Sequence, residues 1–226
     1  MAGNAAKSQG QGRRYSGRDA AERTHARRTA LLAAALELFA TQGYPATSVK
    51  QICRQARLTE RYFYESFRDR HACLVALYGE LADQMRTAST AAIEQAADRD
   101  LDEVARCGLS AFIHYLTADP RRARVVLLEV VGVSAELEDR RHAVLSEFAD
   151  LTTAVWLSRA ERTKPTDPQR LAAVGLVGAV NHMLVDWLHR GQPEAPAELV
   201  DTCSALFLAA RNQLAVSCKG IGARDL

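Results

Sequence analysis

The sequence predicts an all-α protein with two domains. Three observations predict it: apolar residues recur at helical spacing along most of the 226 residues, no segment alternates convincingly in the manner of a strand, and clusters of Pro, Gly and Asp separate the helical stretches. Apolar residues make up 48% of the chain, which is enough to bury a core.

Charge is divided unevenly along the chain. Residues 1–75 carry 13 Lys/Arg and 6 Asp/Glu, a net charge of +7, whereas residues 76–226 carry 16 and 21, a net charge of −5. A basic N-terminal third attached to an acidic remainder suggests that the N-terminal end binds a polyanion such as nucleic acid. A basic tail without a partner is the alternative.

The chain begins with a segment that has no apolar face. Residues 1–23 are rich in Gly, Ser, Gln, Ala and Arg, so we expect a disordered basic arm that lies along phosphates or enters a minor groove, or else an unstructured tail. Order is expected from Thr24, in a helix that buries Leu36 and Phe39 and stops at Gly43.

Two short helices are predicted next. Thr47 or Ser48 is the N-cap candidate for a helix over residues 49–56, and Thr59 begins a second helix over residues 60–67 after a tight turn. A short helix, a tight turn and a second short helix form a helix-turn-helix, so we place a three-helix DNA-binding domain at residues 24–72.

The second short helix has an inner and an outer face. Phe63 and Phe67 point inward at i, i+4 spacing. On the outer face, Arg61 can donate two hydrogen bonds to guanine, and Tyr62 can contact base edges or a thymine methyl group. Polar and basic neighbours suit phosphate contacts that set the register on double-stranded DNA. The predicted DNA-contacting residues are Thr47, Ser48, Val49, Lys50, Thr59, Glu60, Arg61, Tyr62, Tyr64, Ser66, Arg68 and Arg70.

The rest of the chain is predicted to be helical. Apolar periodicity and its interruptions place helices over residues 70–97, 101–117, 136–162, 168–190 and 196–216.

One apolar run in this region is ambiguous. Residues 125–133 fit a strand or a buried helix, and the helical surroundings favour the helix. We expect a helical domain over residues 73–217 and a frayed tail over residues 218–226.

The stretch from Thr47 to Leu74 reads TSVKQICRQARLTERYFYESFRDRHACL. Together with the helix before it, this stretch resembles the N-terminal signature of the TetR family of bacterial transcriptional regulators, F-x-x-x-G-Y, T-(S/T)-V-x-x-I-A, an A-G turn and Y-x-H-F-x-(S/D)-K-E-x-L. The resemblance covers residues 28–75, and the matching residues are Phe39, Gly43, Tyr44, Thr47, Ser48, Val49, Ile52, Ala56, Tyr64, Phe67, Asp69 and Leu74.

Several positions depart from that signature, among them Cys53 in place of a small alanine and Arg70-His71 in place of Lys-Glu. Arg57 stands where the family usually has the turn glycine, which makes a left-handed turn less comfortable. Arg61 replaces a common glycine and Ser66 a common histidine. The family's base contacts are therefore not carried over in detail.

The resemblance implies a ligand-responsive regulator that binds DNA as a homodimer. It implies a repressor that binds a palindromic operator and is released by a small apolar or amphipathic effector; an activator of the same fold is the alternative. Dimerisation in the family usually uses the last two helices. Gly175, Gly178, Ala179, Ala205 and Ala209 suit such close packing, with packing inside one chain as the alternative.

Effector contacts are expected where large or polar side chains interrupt aliphatic faces of the second domain. For each such residue, ordinary packing is the competing interpretation. The candidates are Phe112, Tyr115, Glu129, Trp156, His182, Met183 and Trp187.

Other function classes find little support in the sequence. There is no Gly-rich phosphate loop, no G-x-S-x-G and no metal-spaced His/Cys set, so we expect no enzyme, no metal site and no cofactor. The five cysteines are odd in number and lack a CxxC, which indicates reduced thiols; a redox sensor acting through Cys53 is the alternative. With no signal-peptide h-region and no apolar run near the roughly 18 residues of a membrane span, we expect a cytoplasmic protein with no membrane partner.

Overall fold

The computed structural model describes residues 9–160 and 163–221, and the side chains of residues 20–160 and 163–214. The chain divides into two compact units, Met1–Leu77 and Tyr78–Leu226. Every regular element in the described residues is a helix, which confirms the all-α prediction. The helices of the N-terminal unit, together with the helix in which that unit ends, are α1 (Gln9–Gln42), α2 (Val49–Ala56), α3 (Glu60–Ser66) and α4 (Arg70–Gln95).

Helix α1 begins well before the predicted start of order. It runs from Gln9, so residues 9–23 are helical here and the prediction of a disordered arm is wrong for them. The compositional argument considered burial alone, whereas Ala, Arg, Gln and Glu favour the helix by intrinsic propensity even without a buried face. The remainder of the expected arm, residues 1–8, lies outside the described residues.

The N-terminal unit is closely packed. Helix α1 packs against both α2 and α3, and the chain turns from α1 toward α2 at Gly43, whose φ of +87° favours glycine. The core side chains share near-complete burial and come from all four helices: Leu31, Leu32, Ala35, Phe39, Ile52, Cys53, Phe63, Phe67, Cys73 and Leu74.

The second unit surrounds its core with the remaining helices. Polar caps begin most of them, including Asp100, whose carboxylate accepts from the Glu103 amide, and Thr166, which forms a capping box with Gln169. The helices are α5 (Leu101–Thr117), α6 (Pro120–Arg124), α7 (Ala135–Leu157), α8 (Asp167–His189) and α9 (Pro196–Ile221).

Two predicted boundaries differ in this unit. Helix α7 ends at Leu157, five residues before the predicted end, and α9 continues to Ile221 through the start of the segment expected to fray. Residues 222–226 lie outside the described residues. The ambiguous apolar run begins as a π-helical turn, Val125–Glu129, which continues α6 and confirms the helical alternative.

Helix α8 is unusually apolar for its exposure. Its most apolar 18-residue window has a mean hydropathy of 1.5, and only 22% of that window is buried. The expectation that no apolar run approaches the length of a membrane span is therefore wrong for α8, because small residues and scattered polar ones hide a long apolar helix. Length and composition alone do not distinguish a membrane span from a helix that packs against another chain.

Candidate DNA-binding surface and effector cavity

The start of α2 separates two residues that look alike in the sequence. Ser48 is the N-cap: its hydroxyl accepts from the Gln51 amide at 3.3 Å, and its own amide donates to the Gln51 side chain at 2.7 Å. Thr47 is 0% exposed, and its hydroxyl donates to the carbonyls of Leu38 and Gly43. Burial removes the Thr47 side chain from the predicted phosphate contacts, whereas Ser48 stays exposed.

The turn between α2 and α3 holds an arginine in a left-handed conformation. Arg57 has φ +55° and ψ +38°, and its amide donates to the carbonyl of Arg54 while the Leu58 amide donates to that of Cys53. The turn geometry of a helix-turn-helix is therefore present without its usual glycine, at a conformational cost that an L side chain bears and glycine does not.

Buried aromatic rings and an arginine of α1 hold the inner face of helix α3 in place. Phe63 and Phe67 are 0% and 4% exposed with ring centroids 5.4 Å apart, as predicted for its inner face. Arg28 of α1 lies over the Phe67 ring at 4.5 Å and donates to the Ser66 carbonyl at 3.3 Å. The Ser66 hydroxyl donates to the Tyr62 carbonyl, so this predicted DNA contact is half-buried and bonded within the unit.

The outer face of α3 is exposed. Arg61 is extended into solvent with 84% of its side chain exposed, and it pairs with Glu65 at 3.0 Å along the helix. Tyr64 is 56% exposed, and Glu60 and Thr59 are also exposed. Thr59 occupies the N-cap position but its side chain makes no capping hydrogen bond. An exposed pair of this kind contributes little to stability, so Arg61 is available to exchange Glu65 for another partner.

Tyr62 is held from the side by α1. The guanidinium of Arg27 lies 4.4 Å from the centre of the Tyr62 ring, and Arg27 also donates to the Thr24 hydroxyl at 3.1 Å. Tyr62 is half-buried, so one ring face packs against a cation while the rest remains accessible.

The two arginines beyond α3 differ in role. Arg68 is 83% exposed and pairs with Asp69 at 3.1 Å. Arg70 is half-buried, donates to the carbonyls of Pro45 and Thr47, and lies over the Tyr44 ring at 4.3 Å. Arg70 therefore clamps the segment before α2 instead of facing solvent, which argues against its predicted contact with DNA.

Lys50 completes the exposed cations of this surface. It lies one residue into α2 and is exposed, with no ion pair to any described residue, and the neighbouring Val49 is half-buried. The structure thus brings Ser48, Lys50 and the outer face of α3 together on one small unit, and withdraws Thr47, Ser66 and Arg70 into its packing.

The second unit contains an apolar cavity. Its empty space is about 900 Å³, part of it continuous with solvent, and side chains of α4, α5, α7, α8 and α9 and of the π-helical turn line it. The walls are aliphatic and aromatic: Phe112 and Phe148 meet edge to face with centroids 5.0 Å apart, and Trp156 also lines the cavity. An apolar lining with a few polar side chains is typical of a small-molecule site.

Few polar groups line the cavity. Ser89 and Thr152 donate their hydroxyls to carbonyls of their own helices, which leaves Tyr78, Arg141 and Asn181 as the remaining polar side chains of the lining. Burial raises the pKa of Tyr78 to about 12, and the charge of Arg141 acts in the opposite direction. Tyr78 is therefore protonated and able to donate at neutral pH.

Comparison with known proteins decides the family of the first unit. Residues 31–77 match the family model of the bacterial regulatory proteins of the tetR family, and the match ends at the last residue of the unit. Residues 31–77 are thus similar to a domain of the tetR family. No curated protein matches the chain.

Solved structures share the fold of this chain. FadR from Bacillus subtilis in complex with stearoyl-CoA superposes with a TM-score of 0.69 at 20% identity, over 80% of this chain and 98% of FadR. The fatty acid degradation regulator FadR from Bacillus halodurans gives 0.67 at 21% identity, over 80% and 94%. A transcriptional regulator from Rhodococcus sp. RHA1 gives 0.68 at 16%, over 82% and 96%.

Two of the seven predicted effector residues line the cavity, Phe112 and Trp156. The other five do not line it. Tyr115 donates to Gln84, Glu129 pairs with Arg124 at 3.3 Å, and the indole of Trp187 donates to the Glu194 carbonyl.

His182 and Met183 also lie outside the cavity lining, with His182 exposed and Met183 half-buried. Their predicted contacts with an effector stay a prediction, and these five side chains lie away from this cavity. Residue type alone does not show which face of a helix a side chain occupies.

Sequence reasoning missed the polar lining. Arg141 lies on α7 in line with Val144, Phe148 and Val155, which is helical spacing along the apolar face. A cation that interrupts an otherwise apolar stripe was the available signal, and Asn181 interrupts α8 in the same way.

The described cysteines are reduced thiols. Cys53, Cys73 and Cys203 are buried and Cys107 is partly buried. Burial, more than the charge of Glu60, raises the pKa of Cys53. Within the described residues, no group of three or more His, Cys, Asp or Glu side chains has the geometry to hold a metal ion.

The last two helices present an exposed apolar face. Leu171 and Val174 on α8 are 61% and 51% exposed, and Leu206 on α9 is 42% exposed. Gly175 and Gly178 lie on the same side of α8, and a methyl group added to either would meet no described atom within 4 Å. Packing within one chain therefore does not explain these glycines.

Proposed function

We propose that this tetR-family chain is a dimeric, ligand-responsive transcriptional repressor that binds a palindromic operator. The observation that carries the proposal is the presence, in one chain, of a helix-turn-helix with exposed cations and of an apolar cavity in the second unit. The first reads DNA and the second binds the effector that releases it.

The operator contacts follow from exposure. Arg61 exchanges Glu65 for a guanine edge, and the exposed parts of Tyr62 and Tyr64 contact bases or sugars. Lys50, Ser48, Thr59 and Arg68 contact phosphates and set the register. Glu60 lies at the start of α3, where it can accept from a cytosine amino group.

The effector is a small apolar or amphipathic molecule that fills the cavity. FadR from Bacillus subtilis, which shares the fold, was solved with stearoyl-CoA, and this supports an amphipathic ligand for the same kind of domain. Release follows from linkage: the effector binds the conformation with low DNA affinity better than the one with high affinity.

The dimer forms through α8 and α9. A second copy would cover the exposed Leu171, Val174 and Leu206, and the open space at Gly175 and Gly178 lets two helices approach closely. The same interface accounts for a long apolar helix that is mostly exposed within one chain, without a membrane.

The first experiment selects binding sequences from a random duplex library at fixed salt with purified protein. A palindrome with half-sites about one helical turn apart is expected, because operator symmetry mirrors the symmetry of the dimer. Recovery of no motif at low salt would contradict the proposal that the ligand-free protein binds a specific DNA sequence.

A matched pair of variants then tests the contacts. Arg61→Ala is expected to reduce discrimination between the operator and altered operators by about 1–3 kcal/mol. Lys50→Ala is expected to weaken binding to all duplexes alike and to lower the salt dependence. Intact specificity in Arg61→Ala would show that the recognition face of α3 has been misassigned.

The dimer is tested by sedimentation. Val174→Glu with Leu206→Glu places charges on the exposed face and is expected to produce monomers, since a partner helix cannot cover two unpaired carboxylates. Ala143→Glu adds the same charge at an exposed position of α7 and is expected to leave the dimer intact. Equal behaviour of the two would contradict the proposed interface.

Two alternative functions are a redox sensor and a transcriptional activator. Redox sensing through Cys53 needs an accessible thiolate, whereas this thiol is 3% exposed and its pKa is raised. Insensitivity of operator binding to mild peroxide is the expected result. An activator has the same fold, and a reporter gene whose expression rises when the regulator is deleted would favour repression.

A further inference from the structure

We propose that the cavity binds an amphipathic monocarboxylate, with its apolar body against the aromatic walls and its carboxylate paired with Arg141. This deepens the proposed function, because it rests on the cavity being the effector site, and it names the chemical class of the effector.

The walls select an apolar body. Phe112, Phe148 and Trp156 present ring faces and edges, and the aliphatic lining leaves no hydrogen-bonding group over most of the surface. An occupant with several polar groups would lose its water without replacement, at a cost for each unpaired group. A hydrocarbon chain or ring system would pack against these walls without leaving a polar group unpaired.

Arg141 supplies the polar end. Its side chain is only 18% exposed, and in the described part of the chain its ion-pair partner is Glu138, at 2.8 Å through Nη1. Glu138 is 42% exposed and also accepts from the Gly132 amide at 2.7 Å, so its charge is shared with the backbone and with water. A guanidinium has five N–H donors, which leaves capacity for a second carboxylate.

Tyr78 adds a neutral donor near the same charge. It lines the cavity and is 2% exposed, and the charge of Arg141 acts on its hydroxyl group. An arginine and a protonated tyrosine together can donate to a carboxylate, and an ester or alcohol group would use less of this capacity.

The lining also limits the charge of the ligand. Among the residues that line the cavity, Arg141 is the one with a formal charge at neutral pH. One cation favours one anionic group inside the cavity and disfavours a cationic amphiphile. The several phosphates of a coenzyme A thioester would have no matching cations in this lining.

The experiment measures binding of dodecanoate to purified full-length Trp187→Phe protein, in which Trp156 is the remaining tryptophan, by fluorescence below the micellar concentration. Dodecanol, dodecyltrimethylammonium and dodecanoyl-coenzyme A serve as matched neutral, cationic and polyanionic probes. Dodecanoate is expected to bind about 10- to 100-fold more tightly than dodecanol, the range of a charge-assisted hydrogen bond.

Variants assign that preference to the arginine. Arg141→Gln is expected to bring dodecanoate to the affinity of dodecanol, and Arg141→Lys to restore part of the difference. Arg140→Gln, which removes the neighbouring exposed cation outside the lining, is expected to bind like the wild type. Dodecanol binding should be the same in all four proteins, which shows that the cavity is intact.

The inference is overturned if dodecanol binds as tightly as dodecanoate, if Arg141→Gln keeps the preference, if coenzyme A thioester binds more tightly independently of Arg141, or if no probe binds. Operator release is measured separately. Arg141-dependent binding of dodecanoate that leaves operator affinity unchanged would support the ligand class and contradict the proposed effector role. Release of the operator by dodecanol but not by dodecanoate would support the effector role of the cavity and contradict the proposed ligand class.

Discussion

The two units of this chain differ in how tightly their side chains pack. In the first, the helices pack so closely that Phe39 and Phe63 are 0% exposed, and the guanidinium groups of Arg28 and Arg70 bond to carbonyls and contact rings of the same unit. In the second, the helices leave a cavity between apolar walls, and Arg141 borders it.

The difference shows where each unit can change. A densely packed unit has few alternative arrangements of its helices and side chains. This suits a surface whose side chains must match base edges in register. A cavity between helices has unsatisfied contacts that a ligand can supply, so its occupancy can shift a conformational equilibrium. The same residue type, arginine, holds the first unit together and remains available in the second.

The largest expected effect compares two phenylalanines. Phe63→Ala should lower the free energy of unfolding by about 3–5 kcal/mol, because the ring is fully buried and leaves a cavity. Phe112→Ala should lower it by about 1 kcal/mol, because the ring is half-buried and already borders empty space. Urea unfolding followed by circular dichroism measures both. Equal losses would show that the two units are packed alike.

Two arginines give the next contrast. Arg70→Gln should destabilise the protein by about 2 kcal/mol, since it loses hydrogen bonds to two carbonyls and a cation–π contact. Arg141→Gln should cost about 0.5 kcal/mol or less, because Glu138 remains hydrated and bonded to Gly132. A loss in Arg141→Gln as large as that in Arg70→Gln would make Arg141 a structural residue.

The turn of the first unit allows a gain in stability. Arg57→Gly should raise the free energy of unfolding by about 0.5–1 kcal/mol, because it relieves a left-handed φ of +55°. Arg54→Gly, one turn earlier within α2, should lower it by about 1 kcal/mol through helix propensity. Thermal unfolding of the two variants checks the signs, and destabilisation by both would mean that the Arg57 side chain makes a stabilising contact.

The smallest expected effect is a pH dependence in the first unit. The hydrogen bond from the Ala72 amide, with help from Arg68, holds the pKa of Asp69 below its usual range. A lowered folded pKa contributes stability above the ordinary carboxyl range and loses it as the pH falls through the folded pKa. Asp69→Asn should flatten this part of the acid unfolding curve. An unchanged curve would assign the acid sensitivity to carboxyls of the second unit, such as Asp119 and Glu138, whose pKa is lowered as well.

Short-range sequence patterns predicted the helices of the first unit. The N-cap at Ser48, the stop at Gly43 and the i, i+4 pair Phe63 and Phe67 act over three or four residues, so the order of types along the chain contains them. The limits of α2 and α5 agree with the prediction for the same reason.

The sequence by itself thus determined an all-helical chain, its helix-turn-helix and the outer face of α3. Only the tertiary structure decided that Thr47 and Arg70, which look like phosphate contacts by type, bond to carbonyls of their own unit. It also decided where the cavity lies and that Arg141 borders it. The physical reason is that a cavity is space left between helices far apart in the chain, and no short-range pattern specifies a volume that side chains fail to fill.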